Sequence, residues 1–114
     1  EGYFVKMSAP VDYIAVGSHD PTISVTLEAA GAGSASGTNF FAVPYHTTAN
    51  TANDLILDIG LANVQNVQQF LEATDGLAIY TGRKGSPDPD FSLVPGEAYF
   101  VKMSATVSYT PSHF

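Results

Sequence analysis

Three histidines, His19, His46 and His113, are the side chains of this sequence best suited to holding a transition metal or moving a proton near neutral pH. A zinc site needs three or four ligands held close together, usually with a recognisable spacing. The sequence has no H-x-x-x-H pair and no cysteine, and His19 and His113 belong to related Ser-His turn segments. They read as solvated turn histidines, and no metal is expected on them. Asp88 and Asp90, with Ser86 nearby, offer oxygens of the kind calcium takes, but the segment lacks the ligand density of an EF-hand or a nonapeptide-repeat calcium loop. It reads as a solvated, proline-rich loop, with calcium binding there left open. Asp12 and Asp20 have the same standing.

Covalent chemistry finds less support. A glycosidase needs two carboxylates facing each other across a cleft. The eleven Asp and Glu residues fall mostly in turn segments, and a domain of this size rarely builds both a cleft and a core. Serines are plentiful, but there is no G-x-S-x-G and no convincing Ser/His/Asp order. Without cysteine there is neither a disulfide framework nor thiolate chemistry. No enzyme and no cofactor are therefore expected. Tyr45, Tyr80 and Tyr109 could stack on sugar rings, which makes a carbohydrate-binding or adhesive module the alternative reading. Against it, Trp is absent and most aromatics occupy strand positions that a small core needs.

The most specific signal is a duplication. Tyr3-Phe4-Val5-Lys6-Met7-Ser8-Ala9 returns without change as Tyr99-Phe100-Val101-Lys102-Met103-Ser104-Ala105. The correspondence continues in register with Val11/Val107 and Tyr13/Tyr109, and a Ser-His pair recurs slightly out of phase at 18–19 and 112–113. Each copy has the aromatic and β-branched content of a strand. Alternation puts Tyr99, Val101 and Met103 on one face, with Phe100, Lys102 and Ser104 on the other. Before the second copy, Val94-Pro95-Gly96-Glu97 predicts a turn, Pro setting φ at the first central position and Gly taking φ > 0 at the second. A strand has one preferred slot in a compact domain, so the second copy needs a place. Either both lie in one domain at equivalent positions of two halves, or residues 1–16 close a preceding repeat, or they pair with a neighbouring subunit. The last two share one logic, units joined head to tail.

Composition sets the class. The chain is 114 residues long, 13% charged and 45% hydrophobic, with a net charge of −7. Low charge with many small polar residues suggests an extracellular or cell-surface β protein, and the acidic balance argues against nucleic acid and anionic membranes. No signal peptide and no apolar run of about 18 residues is present, so no membrane insertion is expected. The absence of an initial Met reads as processing or a fragment.

Along the chain, Val11–Val16 suits a short strand, and residues 17–21 break it with Gly17 and Pro21. Thr22–Leu27 alternates cleanly, with Ile23, Val25 and Leu27 on one face. Ala29–Thr38 is a Gly/Ala/Ser loop, and Asn39–Tyr45 a buried strand that Pro44 ends. Thr51 is a plausible N-cap with Asp54 completing a capping box, and Ala52, Leu55, Ile56 and Ile59 recur at helical spacing up to Gly60. This gives one short helix over about residues 52–59. Asn63–Glu72 fits helix or strand, and the Asp75-Gly76 that follows decides for a hairpin returning through Leu77–Thr81. Gly82–Asp90 is an exposed loop, and Phe91–Val94 leads into the turn before the second copy.

From Gly37 to Tyr109, about two thirds of the chain, the order of features resembles a tandem β-rich repeat of large exported bacterial and archaeal surface proteins. The elements that carry the likeness are Asn-Phe-Phe-Ala-Val-Pro-Tyr (39–45), the helix ending Asp-Ile-Gly (58–60), Val-Gln-Gln-Phe (67–70) and Leu-Val-Pro-Gly-Glu-Ala-Tyr-Phe-Val (93–101). The chain departs from that pattern at the hairpin, where Phe70 and Tyr80 stand and a Trp is expected. The resemblance implies a structural or adhesive extracellular module and no assigned chemistry.

The expectation is a mainly β, small antiparallel sandwich-like domain with one short helix. Residues 1–16 form a leading strand segment, and residues 22–114 the repeat module. The assembly strand is Tyr3, Phe4, Val5, Lys6 and Met7, with Tyr99, Phe100, Val101, Lys102 and Met103 as its second copy. The partners expected are further copies of the chain, as homo-oligomer or polymer, with a glycan as the alternative.

Overall fold

The computed structural model describes residues 5–12, 20–32, 34–83 and 87–113. Within them the chain forms strands β1 (Val25–Leu27) and β2 (Thr38–Ala42), helix α1 (Ala52–Ile59), and strands β3 (Val64–Leu71), β4 (Gly76–Tyr80), β5 (Ala98–Met103) and β6 (Val107–Tyr109). Every strand pairing is antiparallel. β2, β5, β3 and β4 make a four-stranded sheet in that order, and β1 with β6 makes a second, two-stranded sheet. The domain is mainly β and sandwich-like with one short helix, as the strand content and the single helical period require.

Helix α1 starts where the capping residues dictate. The Thr51 hydroxyl accepts the Asp54 N–H at 3.2 Å, and the Asp54 carboxylate accepts the Thr51 N–H at 3.1 Å, a reciprocal box that satisfies two otherwise orphaned donors. Ala52, Leu55, Ile56 and Ile59 are all buried, the expected stripe. Gly60 ends the helix at φ 109°, ψ 116°, and its N–H reaches the Ile56 carbonyl at 2.9 Å. This lies outside the left-handed helical well, yet its positive φ still favours glycine.

The β3–β4 hairpin confirms the choice of strand over helix, with a different turn. Leu71 pairs with Gly76, so the connection is four residues long, and Asp75 rather than glycine takes the positive φ, at 50°. Asp tolerates that region better than most residues, and Gly76 becomes the first strand position. The return strand accordingly runs one residue earlier than predicted. The turn before β5 forms as expected: the Glu97 N–H meets the Val94 carbonyl at 3.0 Å and Gly96 has φ 88°.

The clean alternation over Thr22–Leu27 yields only a three-residue strand, and Ile23 is exposed. β1 pairs with β6 as Val25↔Tyr109 and Leu27↔Val107. Extending that register sets Pro111 opposite Ile23, and proline has no N–H to continue the ladder. The Ser24 and Thr110 hydroxyls, 2.6 Å apart, close the end.

One core unites the layers. Leu27 and Tyr109 from the small sheet meet the α1 stripe and the inner face of the large sheet, where Phe41, Val64, Val67, Tyr99, Val101 and Met103 are buried. The leading copy is different. Of its residues, Tyr3 and Phe4 lie outside the described residues, as do Tyr13–Val16 of the strand expected over 11–16. Val5, Lys6 and Met7 form no strand, and Val5 and Met7 are exposed. The prediction that each copy folds as a strand therefore holds for residues 98–103 and does not for 5–9 within this chain. Within this chain the place between β2 and β3 is filled by the C-terminal copy.

Identical residues should then respond oppositely. Met103 is 1% exposed and Met7 56%. Met103→Ala is expected to lower stability by about 2–5 kcal/mol in chemical denaturation, whereas Met7→Ala should stay within about 0.5 kcal/mol.

Candidate functional site

The candidate site is the slot that holds the second copy of the repeated sequence. Its walls are β2 and β3. β5 pairs with β2 from Thr38↔Lys102 to Ala42↔Ala98, and with β3 at Asn66↔Lys102, Val67↔Val101 and Gln68↔Phe100. A register shift near Gln65 then brings Val64 opposite Met103. On the inner face, Tyr99 lies beside Phe41, and Val101 between Asn39 and Val67. On the outer face Phe100 sits between Phe40 and Gln68, its ring tilted 31° to that of Phe40 with centroids 5.0 Å apart. Lys102 is half-buried in a row with Thr38 and Asn66.

Small devices fix the ends. Gly37 is buried at φ 71°, and a Cβ there would lie 2.8 Å from the Ala30 nitrogen and 3.1 Å from the Met103 carbonyl oxygen. Only glycine lets the chain pass close enough for the Met103 N–H to donate to the Gly37 carbonyl at 2.8 Å. The Asn39 side-chain amide binds Glu28 twice, accepting its N–H and donating to its carbonyl, each at 2.9 Å, and so ties the large sheet to the end of β1. The Tyr99 hydroxyl accepts the Val94 N–H at 2.8 Å and donates to the Glu97 carboxylate at 3.2 Å. Burial pushes its pKa up, with the Glu97 charge adding to the effect.

A polar latch holds the continuation of the second copy. The Tyr109 hydroxyl donates to Asp58 Oδ2 at 2.5 Å, the Ser112 N–H donates to the same oxygen at 3.0 Å, and the Ser112 hydroxyl donates to Asp58 Oδ1. Burial raises the pKa of Asp58 most, but the Ser112 and Tyr109 donors together outweigh it and leave the carboxyl below its ordinary 3.8. Tyr109 is pushed well above its ordinary 10.0, first by burial and then by the Asp58 carboxylate. The Ser112 carbonyl accepts the Thr48 N–H at 3.0 Å, and His113 bridges to Thr47. Local sequence does not mark Asp58 as a site residue. Its signal is a lone carboxylate beside the buried Ile59 of an otherwise apolar helix end, which matters only once Tyr-x-x-Ser is known to cross it.

The other candidate residues do not converge. Asp90 accepts the Asn53 N–H at 3.0 Å at the start of α1, and Asp20 accepts both the Thr22 N–H and hydroxyl in a local turn. Asp88 is half-buried, Asp12 and His46 are exposed, and Ser86 and His19 lie outside the described residues. The His113 Nδ1 is 3.3 Å from the Pro111 carbonyl oxygen. Among the described residues no three His, Cys, Asp or Glu side chains gather as a metal site, and no buried side-chain nitrogen or oxygen is left unsatisfied. The three tyrosines point to different places. Tyr109 is buried, Tyr80 is half-buried and donates to Asn53 at 3.2 Å, and Tyr45 is 69% exposed, lying over Gly96. They form no shared strip. No described helix is long and apolar enough to cross a membrane.

No protein-family model, curated protein or solved structure matches the chain.

The latch gives the stability a defined pH dependence. A phenol whose folded pKa is raised binds its proton more tightly in the native state, so its contribution is complete below pH 10 and declines as the pH rises past that value. Asp58, lowered in the folded state, contributes above its unfolded pKa and loses that contribution as the solution is acidified below 3.8. Tyr109→Phe should cost about 1 kcal/mol at pH 7, a modest value for a hydrogen bond to a half-exposed carboxylate that keeps two other donors. It should also make the alkaline fall shallower, as read by urea denaturation across pH 8–11.

Proposed function

We propose that the chain is an extracellular structural module that joins head to tail with units of its own kind, in a filament or surface layer, with the doubled strand as the junction. One observation carries this reading. The C-terminal copy is a central strand of its sheet, while Val5, Lys6 and Met7 of the identical leading copy are exposed and unpaired with any described strand. A repeat of a buried strand's sequence whose described leading residues, 5–9, belong to neither sheet reads as a binding segment in search of one.

Main-chain ladder bonds would supply much of the adhesion, and Lys6, like Lys102, would help fix the register, since a slip of one residue reverses the faces. The likeness to tandem repeats of exported surface proteins and the sparse surface charge support the same reading. The glycan-binding alternative required an exposed aromatic strip, and the separation of Tyr45, Tyr80 and Tyr109 weighs against it.

Light scattering after size-exclusion chromatography tests the proposal. The full chain should show a mass that rises with concentration, and a chain lacking residues 1–16 should stay at single-chain mass with an unchanged Tm. A full chain that remains monomeric up to millimolar concentration would count against self-association.

A further inference from the structure

We infer that the acceptor of the leading copy is the central β2–β3 slot of another unit, the same slot β5 occupies, and not an open edge of its sheet. The inference rests on reading the doubled strand as a junction, and it specifies what the junction is.

The argument begins with which positions the two copies share. A strand that only needed to cover an edge would have to match on one face. The identity instead covers both: Tyr3, Val5 and Met7 correspond to the buried Tyr99, Val101 and Met103, and Phe4 and Lys6 to Phe100 and Lys102 on the outer face. Those residues of the second copy meet a wall on each side, Phe41 and Val67 within, Phe40 and Gln68 without. A segment carrying both sets suits a place with two walls.

The match also extends past the strand to the groups that fasten it. Glu1 stands where Glu97 accepts the Tyr99 hydroxyl, so Tyr3 has the same acceptor at the same spacing. Val11 and Tyr13 stand where Val107 and Tyr109 pair with β1, and Tyr13 would bring a phenol to the Asp58 of the acceptor unit. The Ser18-His19 pair supplies the second donor after a linker two residues longer than in the C-terminal copy. The differences fall where the slot asks little. Gly2 replaces the half-buried Ala98, Asp12 replaces the exposed Ser108, and Pro10 replaces Thr106, whose hydroxyl oxygen accepts the Ala29 N–H at 3.0 Å at an exposed site.

Each chain thus holds one slot and two sequences that suit it. In a single chain the C-terminal copy wins because the Val94–Glu97 turn delivers it locally, at an effective concentration in the millimolar range or above. Exchange between intact chains is then nearly neutral in contacts and depends on concentration. Disabling the resident strand removes the competitor, so damage to β5 should promote use of the leading copy.

Full-length Val101→Asp, Val5→Asp and the double variant test this by far-UV circular dichroism, thermal melting and light scattering. Val5→Asp should fold like the parent. Val101→Asp should regain the native β spectrum and a cooperative melt through a neighbour's leading copy, with oligomers appearing at lower concentration than in the parent; a rescue that stays at single-chain mass would overturn the assignment to another unit. The double variant should be unfolded at every concentration. Val101→Asp as unfolded as the double variant would overturn the inference, and so would a folded double variant, since the slot would then need neither copy. The two proposals fail separately: a parent chain that assembles while Val101→Asp is not rescued leaves self-association standing and removes the central slot. A rescued Val101→Asp beside a monomeric parent does the reverse.

Discussion

The rest of the structure depends on β5 being hydrogen-bonded on both sides and covered on one face by the core. An edge strand can be added to or peeled from a sheet with one ladder at stake. A central strand carries two ladders, and here it also supplies Tyr99, Val101 and Met103 to the interior, none more than 1% exposed. The order β2-β5-β3-β4 means that β2 has no partner in the large sheet until β5 arrives, although it precedes β5 by more than fifty residues. The fold therefore closes late along the chain and through long-range contacts, the situation in which a competing strand of the same sequence has most influence.

Around that strand the molecule places fixed devices. Gly37 and Gly96 let backbone and the Tyr45 ring come close at the two ends of β5. The Thr51–Asp54 box sets where α1 starts, and so where its apolar stripe meets the sheet. Asp58, in the last turn of α1, collects donors from Tyr109 and Ser112 and so binds the last strand to the helix. Gly37 and Gly96 flank β5, and Asp58 holds its continuation.

How much of this could be read beforehand follows from the range of the interactions involved. α1 was readable almost to the residue, because its cap, stripe and glycine are local. So was the turn before β5 and the face assignment of β5, which follow from dipeptide chemistry and strict alternation. The Asp75-Gly76 pair marks the hairpin but not its loop, since Asp75 takes the positive φ and frees Gly76 for the strand. Thr22–Leu27 was overextended, because the partner that limits it is Pro111, remote in sequence and invisible to a local pattern. The repeat is the clearest signal in the chain, yet residues 5–9 belong to neither sheet while residues 98–103 form β5. Nothing in seven identical residues says which one folds into the sheet; the flanking Val94–Glu97 turn and the walls β2 and β3 decide it. Asp58 escaped notice for the same reason, as its partners lie more than fifty residues away.

A physical distinction follows between this arrangement and ordinary edge-to-edge association. Edge pairing reads mainly the backbone and tolerates many sequences, so its natural safeguard is to blunt the edge with charge, proline or a bulge. A central slot reads both faces of the strand, the register and the groups beyond its end, and it rejects what does not fit because a misplaced residue is buried. Specificity of that kind needs near-identity between the resident and incoming strands. It also makes their contacts equivalent, so neither displaces the other on energy alone, and connectivity and concentration decide occupancy. Under the proposed junction, assembly would be controlled by which slots are left open, not by how strongly the strands attract.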